Sequence, residues 1–403
     1  MRIAFVNSVA GFGSTGRIVW QLSQLPGVQG RIYFGRKDNL TDADVFRITR
    51  KAGNLEHAFC TFFMDRQGFC NTSETEKMVE NLKNFRPDLV HLHNLHGYYL
   101  NCETLFRYLK ESGVPVVWTF HDCWPFTGHC AHYDSLDCDR WKTKCQHCPG
   151  TMRYPFTING SQVPVMYEKK KEVFCSLNPN QLSIVTPSNW LEDQVRMSFL
   201  GSQYIRTIHN GIDHSSFHYV QSDFRSVHHL ENDFLILAVA GVWNHEKGLD
   251  DLVRWSHQMK DHQKLIVVGG PKHALKKFDP AHTITIPYVN GTEELCRIYS
   301  AADVMVNLTL EDTFPTVNLE AQACGTPVLT YQTGGSPESI TPKTGMVIEK
   351  GNLESMIQNA EKIQNQEIIF SSPDCMRNAR RFDVRNMLNS YRALYEEKTG
   401  LQL

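Results

Sequence analysis

The chain has 403 residues, with 41 Lys and Arg against 43 Asp and Glu and a formal net charge of -2 at pH 7. That length predicts two or three domains, each with a full apolar core, and near-neutrality supplies no global field for nucleic acid or a strongly anionic membrane. The opening MRIAFVN is too brief for a signal-peptide core, and the longest apolar runs, such as Phe234 to Trp243, fall far short of the ~20 residues of a spanning helix. A soluble, cytoplasmic protein is expected. In that compartment most of the 12 cysteines are read as thiols, with Cys60, Cys175 and Cys324 as small hydrophobes.

Ile3 to Val6 reads as a first strand, followed by a glycine loop from Gly11 to Arg17 and an amphipathic helix from Ile18 to Leu25. No Lys-Ser/Thr follows the last glycine, so this is not a Walker loop, and a plain tight turn is the alternative to an anion-binding one. Arg31 to Phe34 is a second strand, Glu74 to Phe85 a helix, and Pro87 to His93 a third strand ending in His91, His93 and His96. Alternation puts His91 and His93 on one face with no acid nearby in sequence, which favours polar histidines lining a cleft over a metal site. After the helix Cys102 to Glu111, the buried strand Pro115 to Phe120 delivers His121-Asp122, a pairing typical of a general base with an orienting carboxylate.

From Cys123 to Cys148 the alternation is interrupted by CWPFTGHCAHYDSLDCDRWKTKCQHC. Cys130, Cys138, Cys145 and Cys148, closing on a Cys-x-x-Cys, suit one structural zinc ion; reduced thiols packing an aromatic-rich insertion are the alternative, and disulfides are disfavoured. Asp137-Cys138-Asp139 does not follow a buried strand and is discounted as an Asp-x-Asp metal motif. Lys169 to Lys171 is a basic run on a helix, either a solvated face or a contact for a lipid-linked acceptor. Leu182 to Thr186 is another strand, with Ser188 or Asn189 capping the next helix, and Tyr204 to His209 leads into Asn210-Gly211-Ile212-Asp213. The polar stretch that follows, through Asp233, lacks apolar periodicity and reads as a linker.

Phe234 to Ala240 opens the second half, and its loop carries Lys247-Gly248 before a helix from Leu249 to Met259. Lys247 at a strand end is a candidate phosphate cation, against the alternative of a solvated lysine. Strands at Leu265 to Val268, Thr283 to Pro287 and Val304 to Val306 follow, with a helix from Glu293 to Ser300. Pro315 and Thr316 open a helix closed by Cys324-Gly325, and Thr326 to Tyr331 is a strand ending in Thr333-Gly334-Gly335-Ser336, before Pro337-Glu338 opens another helix. Asp312 on the loop and Glu320 on the helix, with seven residues between them, can each accept hydrogen bonds from a sugar diol, with the helix N-terminus between them facing an anion. Apolar positions from Phe382 to Leu394 recur at helical spacing near the C-terminus.

The run EDTFPTVNLEAQACGTPV with TGGSPE resembles the donor site of retaining family-4 glycosyltransferases with the GT-B fold, and HDCWPFTGHC with WKTKCQHCP is similar to their bacterial exopolysaccharide (colanic-acid-type) branch. Asp312 stands where most members have Glu, and Leu308 where many have Pro. The resemblance implies two doubly wound Rossmann-like α/β domains facing across a cleft. The expected boundaries are an N-terminal acceptor-side domain over 1–215 with its Cys-rich insertion at 123–150, a linker at 216–233, a donor domain over 234–380, and a C-terminal helix at 381–403 packing back on the first domain. It implies transfer of a hexose from a nucleoside diphosphate sugar to a sugar hydroxyl, on a saccharide or lipid-linked oligosaccharide, in surface polysaccharide assembly. Peripheral contact with the inner face of the membrane would accompany such an acceptor. No cofactor is implied for catalysis. Gly13 would offer its backbone to the diphosphate, His121 would face donor sugar and acceptor, and Lys247 would hold the diphosphate. Asn210, Phe314, Pro315, Thr316, Glu320 and Gly335 would line the donor, Glu320 on the ribose and Asp312 on the transferred sugar. Val242 and Trp243 occupy the neighbourhood of the family's arginine. A sugar-nucleotide epimerase, a phosphorylase and a non-catalytic nucleotide-binding partner are the rival readings. The acids and the Cys-Gly-Thr-Pro turn argue against the first, no pyridoxal lysine motif supports the second, and the arginine's absence suggests the third.

Overall fold

Short apolar strands alternate with helices along most of the sequence, and they close into two parallel sheets. The computed structural model describes residues 1–41, 43–178 and 180–403. The first sheet contains β1 (Arg2–Asn7), β2 (Gln29–Phe34), β3 (Val45–Arg47), β4 (Leu89–Leu92), β5 (Val116–Thr119), β6 (Leu182–Thr186) and β7 (Tyr204–Thr207) in the order β3-β2-β1-β4-β5-β6-β7. The second contains β8 (Phe234–Val239), β9 (Gln263–Val268), β10 (Thr283–Ile286), β11 (Val304–Asn307), β12 (Val328–Tyr331) and β13 (Gly345–Ile348) in the order β10-β9-β8-β11-β12-β13. β4, β5, β6 and β12 are buried along their whole length, as strands covered by helices on both faces must be, and they are accordingly near-continuous in apolar residues. In each sheet the order reverses beside the first strand, at β1/β4 and at β8/β11, and ligands of doubly wound sheets bind at the carboxyl ends of such strands.

The chain divides into two compact units, Met1–Ile208 with Leu388–Leu403, and His209–Met387. The stretch 216–233 is not a free linker. Phe217, Phe224 and Leu230 are buried in the second unit's core, and Arg225 donates to the Ala301 carbonyl and pairs with Asp303. Three apolar anchors at irregular spacing leave no period to detect, although each buries fully. The C-terminal segment is also less continuous than its periodicity suggests. A helix at Ser372–Ala379 and one at Val384–Thr399 are separated by a 3-10 turn and by Asp383 in extended conformation, whose carboxylate accepts from the Arg385 amide. The later helix brings Tyr391 and Tyr395 against Thr119 and His91 of the first unit. Pro337-Glu338 opens only a 3-10 turn, Ser336–Ser339. Among the described residues no helix is long and apolar enough to cross a membrane.

Candidate active site

In the second unit, the loops after β8 and β11 meet at one backbone carbonyl. The Leu310 amide and the Thr309 hydroxyl both donate to the Glu246 carbonyl, which ties the loop after β11 to the loop after β8. Gly248 ends the 3-10 turn His245–Lys247 at φ 78, and a Cβ there would stand 2.4 Å from the Leu308 carbonyl oxygen, so only glycine permits this approach. Asn244 caps the same turn by accepting from the Lys247 amide. The Lys247 side chain is thereby aimed at Asp312, Nζ to Oδ2 2.6 Å, and also donates to the Glu311 carbonyl. The other Asp312 oxygen accepts from the Phe314 amide, so the loop acid is fixed at both oxygens.

Pro315 is the N-cap of the helix Thr316–Ala323, which ends at Gly325 in the left-handed region. Glu320 lies one turn along it, with Oε1 accepting from the Thr316 hydroxyl and Oε2 from the Tyr299 hydroxyl at 3.0 Å. Burial, and then the Glu320 charge, push the Tyr299 phenol well above its ordinary range, so it remains a donor. Phe314 is buried against His209 and Phe382, and His209 pairs with Glu338. Asn210 is half-buried in the loop just after His209, and Gly335 precedes the 3-10 turn after β12 at an ordinary φ, its neighbour Gly334 being the left-handed residue. Beside these glycines the hydroxyls of Thr333 and Ser336 are buried and have no partner among the described residues. Trp243 is turned into the core, its indole donating to the Val268 carbonyl, and exposed Val242 beside it carries no charge.

In the first unit, His91 bonds Tyr395 and Thr119, and His93 shares a 2.9 Å hydrogen bond with His121. Burial holds all three imidazoles neutral at pH 7, with His121 lowered to about 4. Asp122 does not orient His121. Its carboxylate bonds His96 at 2.6 Å and the Trp124 amide; burial pushes the acid up, but His96, His132 and that amide outweigh it and hold it down at about 2. Adjacent residues after a strand point to opposite sides, so the acid next to His121 in sequence serves a histidine from the neighbouring strand end. Gly13 begins the helix Gly13–Ser23 at φ 68 with open space where a Cβ would be.

Residues 41–216 match the family described as Glycosyltransferase Family 4, and residues 220–382 match Glycosyl transferases group 1. The chain is a glycosyltransferase of this family 4/group 1 type. It is similar to the putative colanic acid biosynthesis glycosyl transferase WcaC of Escherichia coli, 25% identical over 77% of this chain and 76% of that one. The capsular polysaccharide biosynthesis glycosyltransferase CapM of Staphylococcus aureus is 24% identical over 52% of this chain and 58% of its own. Among solved structures, sucrose-phosphate synthase from Thermosynechococcus elongatus superposes with a TM-score of 0.71 at 18% identity, covering 98% of each chain. Anabaena HepE in complex with UDP-glucose gives 0.65 at 14%, covering 98% of this chain and 100% of that one. The structural likeness is one of fold, two Rossmann-like domains of the GT-B kind.

The remaining site expectations of the glycosyltransferase lie in its first unit. Cys130, Cys138, Cys145 and Cys148 line one small cavity, with the Cys130 and Cys148 sulfurs 3.9 Å apart. The Gly128 amide donates to the Cys145 sulfur and the Gly150 amide to that of Cys148. Among the described residues no group of three or more His, Cys, Asp or Glu side chains is placed so that it could hold a metal ion. The basic run is not one continuous charged face: Lys170 is buried, donating to the Trp124 and Thr127 carbonyls, and burial lowers it to about 7, while Lys169 pairs with Glu103 and Lys171 is exposed. Sequence reasoning missed Tyr299 and His96 as supports of Glu320 and Asp122. Their partners lie 21 and 26 residues away, beyond the reach of local spacing.

Proposed function

We propose that this glycosyltransferase moves a hexose from a nucleoside diphosphate sugar to a sugar hydroxyl with retention of anomeric configuration and without a catalytic metal, in the assembly of a surface polysaccharide. The observation that carries the reading is the Lys247–Asp312 contact at the strand ends, beside Glu320 already fixed by Tyr299 and Thr316. A diphosphate at this place would draw the ammonium from Asp312 and receive its charge as the leaving group departs. Asp312, released, would accept from hydroxyls of the transferred sugar, and Glu320 from the ribose. The names of relatives in capsular and colanic acid biosynthesis and the UDP-glucose bound by HepE support both the pathway class and the donor class. His121, neutral and bonded to His93, is the acceptor-side candidate, and a lipid-linked saccharide is the acceptor favoured by this company.

The test is a time course of donor consumption with UDP- and GDP-hexoses, with NMR of the anomeric proton of the product. Retention of the donor's configuration is expected. An inverted product, or full activity of Lys247→Ala, would overturn the reading.

We also infer that the cysteine cavity holds one structural zinc ion. A tetrahedral zinc with ~2.3 Å bonds to sulfur has ligand edges of ~3.8 Å, close to the 3.9 Å between Cys130 and Cys148. The amides already donating to two of the sulfurs are what thiolates require. Elemental analysis of protein purified without chelator should find about one zinc per chain. Fully folded, active, metal-free protein would contradict it.

A further inference from the structure

At the ends of β4 and β5 three imidazoles stand in a row. His91 is engaged at both nitrogens, by the Tyr395 hydroxyl and by Thr119, whose hydroxyl also bonds Tyr391. Its ring lies 4.1 Å from that of His93 and covers one side of it. His93 is held through its backbone as well, the amide donating to the Val6 carbonyl and the carbonyl accepting from the Trp118 indole. The His93 ring has two nitrogens and one partner. Nδ1 meets His121 Nε2 at 2.9 Å, whereas Nε2 is buried with no hydrogen-bond partner among the described residues. The planes of His93 and His121 lie within 13° of each other with centroids 5.3 Å apart, which sets the two nitrogens edge to edge in the direction an N–H···N bond prefers.

That orphan nitrogen decides where the protons are. Burial keeps both rings neutral, and a neutral imidazole carries one N–H and one lone pair. If His121 donated through Nε2, His93 would have to carry its own proton on Nε2, an N–H buried with nothing to receive it. Buried N–H groups are almost always satisfied, and acceptors less strictly so. The favoured arrangement is therefore the reverse: His93 donates from Nδ1 to His121 Nε2, and the nitrogen without a partner is a lone pair. His121 then holds its own proton on Nδ1.

The consequence is opposite to that of the acid expected from sequence. A carboxylate beside an imidazole accepts its N–H and leaves the other nitrogen as a lone pair ready to take a proton. A neutral histidine that donates does the opposite, occupying the lone pair and leaving an N–H. Asp122, the adjacent acid, bonds His96 and the Trp124 amide instead, and the group that reaches His121 comes from the neighbouring strand end. His93 is buried and His121 only half-buried, so their bond points inward and the remaining edge of the His121 ring is the one a ligand reaches.

We infer that His93 is the positioning residue for His121: by donating from Nδ1 it fixes His121 as the Nδ1–H tautomer, which offers a hydrogen bond to a saccharide hydroxyl and takes no proton from one. The role of His121 rests on the proposed sugar transfer, whereas the tautomer rests on the histidine geometry alone. The test is two-bond proton–nitrogen correlation NMR of the full chain carrying nitrogen-15 histidine, near neutral pH, with the His121 signals assigned from a His121→Asn sample. Wild type should show His93 and His121 both protonated at Nδ1 and bare at Nε2. His93→Leu should release His121 toward the Nε2–H form; with the hexose donor that wild type consumes, it should lower kcat/KM about tenfold and leave nucleotide affinity as it was. His93→Asn keeps an N–H donor near the place of Nδ1, and should restore the His121 signals and bring kcat/KM to within about threefold of wild type. A wild-type His121 protonated at Nε2 overturns the inference, and this spectrum decides the tautomer even where His93→Leu fails to fold. A folded His93→Leu variant whose His121 signals and kcat/KM match wild type overturns it too, as does a His93→Asn variant no better than His93→Leu. If wild type consumes no nucleoside diphosphate hexose, the sugar transfer and the part of His121 in it are overturned, while the tautomer stands or falls by the nitrogen signals.

Discussion

Lys247 and Asp312 form an ion pair that is a third exposed on the lysine side, and such pairs contribute ~0 to 1 kcal/mol to folding. The contact is therefore better understood as a resting position than as a stabilising device. Lys247→Ala should leave the melting temperature almost unchanged while lowering kcat/KM by ~2 to 4 kcal/mol in transition-state terms; steady-state kinetics and a thermal scan on the same preparation check both halves. Tyr299→Phe removes one of the two hydroxyls holding Glu320 without emptying the site. It should weaken nucleotide binding by ~0.5 to 1.5 kcal/mol, read by titration calorimetry.

At the scale of elements, the loop pair after β8 and β11 depends on Gly248. Gly248→Ala forces a left-handed alanine against the Leu308 carbonyl. It should cost ~1 to 3 kcal/mol of stability and lower activity beyond Lys247→Ala, because Asp312 and Lys247 move together; chemical denaturation with kinetics measures it. The strands were legible because parallel, doubly covered strands are apolar runs bounded by glycine and polar loops, as Val304 to Asn307 and Val328 to Tyr331 illustrate. The helix Lys51–Met64 was not, since a reader of periodicity assigns Phe59, Phe62 and Phe63 to a core and finds them in water. The linker expectation failed for the converse reason, three isolated anchors without a period. Within the site, the acid spacing and Lys247 could be read locally, whereas the pairing of Asp122 with His96 arises from register between β4 and β5.

For the whole molecule, buried neutral histidines tie stability to pH. His57, almost wholly buried, is lowered by that burial to about 4, and His91, His93 and His121 are lowered for the same reason. Above pH ~6.5 both folded and unfolded forms of these groups are neutral; below it the unfolded chain binds protons that the folded one refuses. Stability should therefore fall as pH drops from ~6.5 toward ~4, by on the order of 3 kcal/mol for His57 alone, in urea unfolding at fixed ionic strength. His57→Gln should flatten part of that slope. On the proposed assignment, the second unit holds a nucleoside diphosphate through Glu320 and reads the sugar through Asp312. Calorimetric titration of UDP and GDP against wild type, Glu320→Gln and Asp312→Asn tests it most directly. Glu320→Gln should weaken the bound nucleotide by ~1.5 to 3 kcal/mol, roughly 10- to 100-fold, and Asp312→Asn should bind it as wild type does. Normal binding by Glu320→Gln with a loss in Asp312→Asn would contradict the assignment and place the ribose at the loop acid.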